Sequence, residues 1–574
     1  MSCERGRYRK RAGILVTLLA LAPLNAGAQA PPASQVTPET LRPPEDFGGG
    51  GIVMSGAAPL DVPAGAERLT VTIANVRIEG GFPELAAVTA ELSRQIVGRR
   101  TTAAELYAFA GVVEQAYAAA GYVLARVVLP PQTLLDGGEL RLLVVDGYVE
   151  DVDVQALSPR VRDVVVSRMA PLIGQRRIKL DEIERRLLLA SHVPGLRLRS
   201  TLARGREQGG TRLILNGEHS MVGGTLGVNN HMNESYGRWQ YASSAEVNSA
   251  FGFGEQVYGT YIGSDELGAT LDGTAPLRIA GVGAVIPIGT DGLTLNPEYT
   301  HSRSRPIDQL FATQDVFERF ALRVSYPVVL TRARRLDVEA LYEHNEAISE
   351  AIDFGLDLDH DRYSVVRLGL DHTSYTSRGA PVFLSATVSQ GLGGRDESDA
   401  IASGVPLSRM GSDPDFQKLV AEMHYIHPLP EDLRVSLLVR GQTSFGTPLF
   451  ASEQFSLDGP QSISGFESGT FSVDEGLLAR SEISRSFSLP TVAWATVVTP
   501  YVFGAAGRGW LVEPTIVEPG RIDVASVGVG TRAFVEGPDG LPLGSMSLEL
   551  ARRFTDDPRA EEGYRVMFNA GVKF

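Results

Sequence analysis

The chain ends Tyr564-Arg565-Val566-Met567-Phe568-Asn569-Ala570-Gly571-Val572-Lys573-Phe574. In an extended strand successive side chains point to opposite faces. Tyr564, Val566, Phe568, Ala570, Val572 and Phe574 therefore share one face, and Arg565, Met567, Asn569, Gly571 and Lys573 share the other. An apolar face opposite a largely polar one, over this length, is the pattern of a β-strand crossing a membrane beside a wet lumen. Leu433, Val435, Leu437 and Val439 alternate with Arg434, Ser436, Leu438 and Arg440 in nearly the same way. A secreted β-sandwich or β-helix also alternates. A sandwich buries its apolar faces against each other at ~10 Å, and neither fold needs to end on an aromatic residue.

Working back from this run, helical periodicity is absent to about residue 219. Sixteen strand-length runs fall near 221–231, 237–250, 254–263, 274–287, 292–302, 316–328, 333–347, 361–374, 380–391, 417–428, 432–445, 476–488, 497–508, 523–535, 542–555 and 564–574. Each run plus its connection averages about 22 residues, which suits strands of ~10 residues with alternating short and long links. An even count lets an antiparallel barrel close without a free edge, as the bilayer core requires.

Before residue 219 the pattern changes. Residues 69–147 read β-α-α-β-β: Leu69 to Ile73 alternates, 84–97 and 102–120 have helical spacing, and Tyr122 to Leu129 and Glu139 to Val145 are strand-like. Residues 148–218 repeat the order, a tandem arrangement. Residues 29–68 are a Pro/Gly-rich linker containing Gly48-Gly49-Gly50-Gly51. Within it Thr37-Pro38 is a helix-start signal that Pro43 stops within about one turn, so no stable helix is expected there. Arg5, Arg7, Arg9, Lys10 and Arg11, then an apolar run from Ala12 to Leu24 and Ala26-Gly27-Ala28, make 1–28 a secretory signal peptide. The apolar run is too short to span a bilayer.

The formal net charge of −15 argues against a nucleic-acid partner. The single cysteine, Cys3, excludes an intramolecular disulfide and any multi-Cys metal site. The residues form no catalytic constellation, and no cofactor or metal is expected. His424 and His427, three apart on a strand, point to opposite faces. Asp353, Asp357, Asp359 and Asp361 read as a solvated loop cluster.

Export signal, two β-α-α-β-β units and a sixteen-run barrel resemble the two-partner secretion transporters of Gram-negative outer membranes, the TpsB or haemolysin activator and secretion type. These belong to one superfamily with the barrel-assembly proteins BamA and TamA. Gly121 to Gln132, with Gly138, Leu140 and Asp146-Gly147, is similar to the family's first periplasmic POTRA domain. Gly252-Phe253-Gly254-Glu255 is similar to the end of its opening barrel hairpin. The resemblance implies a mainly β fold: a 16-stranded transmembrane antiparallel β-barrel (219–574) preceded by two POTRA domains of α+β build. It implies an outer-membrane location with the POTRA domains in the periplasm. It implies a monomeric barrel in contact with outer-membrane lipid, and a partner that is an unfolded secreted exoprotein of haemolysin or adhesin type. The alternative is an assembly factor for other barrels, although those usually carry more POTRA units.

The resemblance also singles out residues. The break at 446–475 corresponds to a long extracellular loop that folds into the lumen, with its tip motif at Ile463-Ser464-Gly465-Phe466. The family's Arg position holds Ser464. The motif expected to face it on the thirteenth strand is Phe503-Gly504-Ala505-Ala506-Gly507, where the family's Asp position holds Ala505. Both halves of an expected ion pair are thus missing together. On this reading an acid at 505 alone is harmful, and Ser464→Arg relieves it. Arg480 and Glu482, with Arg434, Arg440, Arg565 and Lys573, are expected as luminal polar groups. Tyr122, Arg126 and Gln132 either shape a client groove or are structural, with Tyr122 in the core and Gln132 tying down its loop; the sequence leaves both open.

Overall fold

From Val222 onward the period-two alternation becomes a closed surface. The computed structural model describes residues 30–43, 52–53, 62–307, 309, 311–376, 379–490, 495–537 and 542–574; the expected signal peptide lies outside them. The barrel strands are Val222–Asn229, Gln240–Asn248, Gln256–Ser264, Leu277–Ile288, Leu293–Ser304, Thr313–Leu330, Arg334–Ala351, Leu356–Tyr375, Pro381–Gly394, Gln417–Pro428 and Leu433–Thr443. The twelfth is Glu475–Arg485, continued by Phe487–Pro490; then come Ala495–Trp510, Arg521–Glu536, Pro542–Thr555 and Gly563–Lys573. Every neighbouring pair is antiparallel, and the last strand pairs with the first over 569–573 and 225–229. Phe574 extends this seam, exchanging both backbone hydrogen bonds with Gly224 at 3.1 Å.

The barrel is apolar outside and charged inside. Leu368, Val502, Leu548 and Val566 are exposed on its outer face, where a bilayer covers them. Arg319, Arg323, Glu298 and Glu343 are buried inside. Their charges are paired: Arg323 with Glu339 at 2.9 Å, and Arg367 with Glu343 at 2.7 Å. Each described barrel strand pairs on both sides, so the sheet has no edge strand, the one sheet arrangement that hydrocarbon tolerates.

Two small α+β domains precede the barrel. In the first, strand Thr70–Glu79 runs parallel to Gly138–Val145, which pairs with Arg126–Val128. Helices Ala86–Arg94 and Ala103–Ala119 cover the sheet, the latter opened by a Thr102/Glu105 capping box. A short strand, Arg100–Thr102, lies between the helices and pairs with Thr70–Thr72. The strand expected over Tyr122 to Leu129 is only three residues long, because Gly121 has φ 96° and a turn occupies the positions after it. The second domain orders Tyr148–Asp153, Pro159–Met169, Leu180–Ser191, Leu196–Arg204 and Gly210–His219 in the same β-α-α-β-β sequence. Each domain has its own apolar core.

Residues 30–43 thread through the barrel lumen. Their one helical turn is Ala33–Val36, not a helix begun by Thr37; the Thr37 hydroxyl closes its end on Ala33 O at 2.7 Å. Bonds to the wall hold the segment in place of helical length. Leu41 N donates to Glu298, Arg319 donates to Pro38 O at 2.7 Å, and Tyr236 donates to Pro31 O. Among the described linker residues this single turn is the helix present before residue 62, and the lumen is occupied nonetheless. Further along the linker, Ile52–Val53 adds a parallel strand beside Leu196–Arg204 of the second domain.

Candidate functional site: the luminal loop and its anchors

The connection between the eleventh and twelfth strands folds back on itself. Phe455–Ser456 pairs with Ser472–Val473 as a short ladder. Phe455, Leu457, Ile463, Phe466, Phe471 and Val473 pack on Leu478, Ala505, Ile522 and Val524 of the wall as one buried cluster. Phe466 is buried edge-on against Phe471, with ring centroids 4.8 Å apart. The Asp458 carboxylate gathers the returning chain, accepting from Gly469 N at 2.9 Å and Phe471 N at 2.7 Å.

The base of the loop is fixed by charge. Glu453 is buried and pairs with Arg367 and Lys418, both at 2.6 Å, and Tyr363 donates to it at 2.8 Å. Asp474, also buried, accepts both bonds from Arg409 at 2.6 Å and further bonds from Leu449 N and Val512 N. A buried carboxylate is tolerated only when paired and fully hydrogen-bonded, and these two are.

The tip is held differently. Gly465 lies so close to the wall that an added Cβ would stand 2.8 Å from Arg553 Cγ, 3.3 Å from Ser526 Cβ and 3.4 Å from Ala551 Cβ. Gly507 likewise leaves room for Ile463, whose Cδ1 is 2.9 Å from where a Cβ would be. The Ser464 hydroxyl donates to Glu549 and accepts from Arg480 at 2.7 Å. Arg480 also pairs with Glu549 at 2.8 Å and lies 3.8 Å over the Phe503 ring. Tyr501 donates to Glu549 at 2.7 Å, and Glu482 takes a two-pronged bond from Arg532 at 2.6 and 2.8 Å. Beyond the tip, Ser468 N donates to His231 O at 3.0 Å, Glu234 N donates to Glu467 at 3.1 Å, and Arg565 lies 3.6 Å from Glu467.

The structure thus brings Ile463, Ser464, Gly465 and Phe466 against Phe503, Ala505 and Gly507, but the contact with the thirteenth strand is apolar. The ionic latch lies between two wall strands, Arg480 on the twelfth and Glu549 on the fifteenth, with Ser464 inserted into it. Arg480 stands directly across the ladder from Ala505. A guanidinium therefore already stands beside position 505, which the sequence reading does not anticipate. Glu549, Tyr501, Glu453 and Arg409 are not singled out by the sequence. The available signal for Glu549 is one acid on the polar face between outward Leu548 and Leu550.

Tyr122, Arg126 and Gln132 each have partners within the first domain. Tyr122 is in the core of the first domain and donates to Glu84 at 2.7 Å. That bond holds the Glu84 carboxyl below its ordinary value and pushes the Tyr122 phenol up. Arg126 pairs with Glu114 at 2.9 Å. Gln132 accepts from Arg141 N and donates to Arg141 O, tying its loop to the sheet. An open groove of this domain, about 710 Å³, lies between strand Thr70–Glu79 and helix Ala86–Arg94.

A sixteen-stranded barrel with a luminal loop and two α+β domains ahead of it defines the class of outer-membrane barrels with periplasmic domains. The family profile described as haemolysin secretion/activation protein ShlB/FhaC/HecB matches residues 209–533, and a ShlB-type POTRA profile matches 71–147. The chain belongs to the ShlB/FhaC/HecB family of two-partner secretion transporters, which carry exoproteins across the outer membrane. It is 22% identical to the heme/hemopexin transporter protein HuxB of Haemophilus influenzae, over 71% of each chain. It is 24% identical to the hemolysin transporter protein ShlB of Serratia marcescens, over 68% of this chain and 67% of that one. Among solved structures, CdiB from Escherichia coli superposes with a TM-score of 0.67 at 18% identity, covering 99% of this chain and 97% of the other. CdiB from Acinetobacter baumannii superposes with a TM-score of 0.60 at 16% identity, covering 99% of this chain and 97% of that one.

Proposed function

We propose that the client is an unfolded exoprotein of the haemolysin or adhesin type, captured at the groove of the first POTRA domain and passed through the lumen of a single barrel. The observation that carries this is the free edge of strand Thr70–Glu79. One side pairs with Gly138–Val145 from Ile73 to Glu79, while on the other Arg100–Thr102 covers only Thr70–Thr72. Ala74, Val76 and Ile78 then line the groove with Ala86, Ala90 and Ser93 of the facing helix. An extended peptide adds to such an edge by backbone hydrogen bonds and needs little sequence specificity.

Export then requires the lumen to clear. Residues 30–43 and the loop tip fill it; residues 30–43 are held by Glu298, Arg319 and Tyr236, whose bonds an incoming chain's own amides and carbonyls can replace. Barrel closure within one chain supports a monomer, and the exposed apolar outer face supports direct contact with outer-membrane lipid. A photo-crosslinking residue at position 90 tests the capture step. Purified transporter should cross-link an unfolded exoprotein fragment from position 90 but not from 126. Cross-linking from 126 and not from 90 contradicts the reading. Ala90→Trp, which fills the groove from an exposed helix face, should lower export while leaving the amount of folded barrel unchanged.

A further inference from the structure

The second and third barrel strands are joined by the turn 249–255. The second strand has nine residues. At ~3.4 Å each and a tilt of ~40° it climbs roughly 23 Å, close to the ~25 Å height of an outer-membrane apolar band. Aromatic residues stand beyond both ends. Trp239 is exposed at one end, edge-on to Phe568 with centroids 6.1 Å apart. At the other end Phe251 and Phe253 are 77% and 45% exposed and stack at 6.2 Å with 16° between their rings.

The turn is rigid although its aromatic rings are uncovered. The Glu255 carboxylate, buried, accepts from Phe251 N at 2.6 Å and Phe253 N at 3.2 Å, and Ser249 N donates to Glu255 O at 2.7 Å. The residues that alternate with the two rings face the second POTRA domain. A Cβ at Gly252 would meet Arg160 O at 3.5 Å, and one at Gly254 would meet Val164 Cγ2 at 3.2 Å. Arg160 donates to Ala250 O at 3.2 Å. One side of the turn is therefore bonded to helix Pro159–Met169. The other presents two phenyl rings beside outward-facing Val247 and Val257, with Ile288 exposed at the same end of the fourth strand.

We propose that Phe251 and Phe253 insert into the periplasmic interface of the bilayer, and that this turn tethers the second POTRA domain to the membrane surface. The occupant is phospholipid rather than exoprotein, because the patch continues the apolar outer band and not the charged lumen. Stacked rings at the level where strand crossing ends match the aromatic girdle of an outer-membrane barrel. The proposal rests on the membrane-barrel fold and not on the capture reading, so its test is independent of any client.

The test uses the full chain in vesicles of phosphatidylcholine with and without bromine on the acyl chains near the headgroup. Trp239, Trp494 and Trp510 are replaced by Phe, and Phe251→Trp supplies the single reporter. The emission at 251 should be blue-shifted and should lose most of its intensity in brominated vesicles. A parallel reporter, Ile516→Trp, on a fully exposed loop residue, should lose none. Water-like, unquenched emission at 251 overturns the proposal, as does quenching that appears only when an unfolded exoprotein fragment bearing a quencher is added. Phe251→Ser with Phe253→Ser should leave barrel heat-modifiability unchanged and raise proteolysis of the second POTRA domain in vesicles but not in detergent; equal proteolysis in both media also overturns it.

Discussion

The two ends of the luminal loop are held by different chemistry. At the base, two carboxylates, Glu453 and Asp474, are locked to three cations and several backbone amides. At the tip, the loop contributes one hydroxyl to an ion pair that already belongs to the wall, plus two glycine contacts and a buried phenyl ring. The difference teaches where this loop bends. Removing a charge from the base leaves buried partners uncompensated, whereas withdrawing the tip leaves Arg480 and Glu549 paired with each other. A loop built this way keeps its roots and releases its end.

The comparison breaks most visibly at Glu453. Glu453→Gln leaves Lys418 without its carboxylate and Arg367 with Glu343 alone, and should cost roughly 3–5 kcal/mol, read as a lower urea midpoint of barrel unfolding followed by gel mobility. Arg480→Ala is expected to cost less, about 2–3 kcal/mol, because Glu549 keeps its bonds from Tyr501 and Ser464. Replacing both Arg480 and Glu549 by Met should recover most of that loss, since removing a whole buried pair is often near neutral. If the double variant is as unstable as Arg480→Ala alone, the two charges are not acting as a unit. Ser464→Ala is the smallest change, about 1 kcal/mol, and should raise access of a lumen-directed thiol probe to a cysteine placed at 466 without moving the urea midpoint much. The substitutions that distinguish wall from loop are Ala505→Asp and Ser464→Arg. The first gains Arg480 as a neighbour and should be tolerated; the second places a second guanidinium beside Arg480 and should be the more harmful. The reverse order means that the latch lies between loop and thirteenth strand after all.

Much of the fold is legible because it is written in periodicity. The runs at 433–443 and 563–573 each carry one apolar and one polar face, as strands between lipid and a wet lumen do. The tandem units are legible for the same reason, with Thr102 and Glu105 marking a helix start by capping chemistry. What escapes is pairing across distant strands. Nothing local in Leu548-Glu549-Leu550 says that this acid meets Arg480, 69 positions away. The luminal strap escapes too, because its residues 38–41 are held by Glu298 and Arg319 on the wall rather than by their own sequence. Tyr122 and Gln132 show the converse: both belong to a recognisable motif, and both are tied up in the domain's own core and loop.

Passage of the exoprotein through the lumen is tested most directly by photo-cross-linking during export. Ser436 shares the luminal face with Glu482, its partner across the ladder, while Leu368 is exposed on the lipid-facing surface. A photo-reactive residue at 436 should trap the exoprotein in transit, and one at 368 should not. Continued export with no adduct at 436, or equal adducts at both positions, contradicts a path through the barrel.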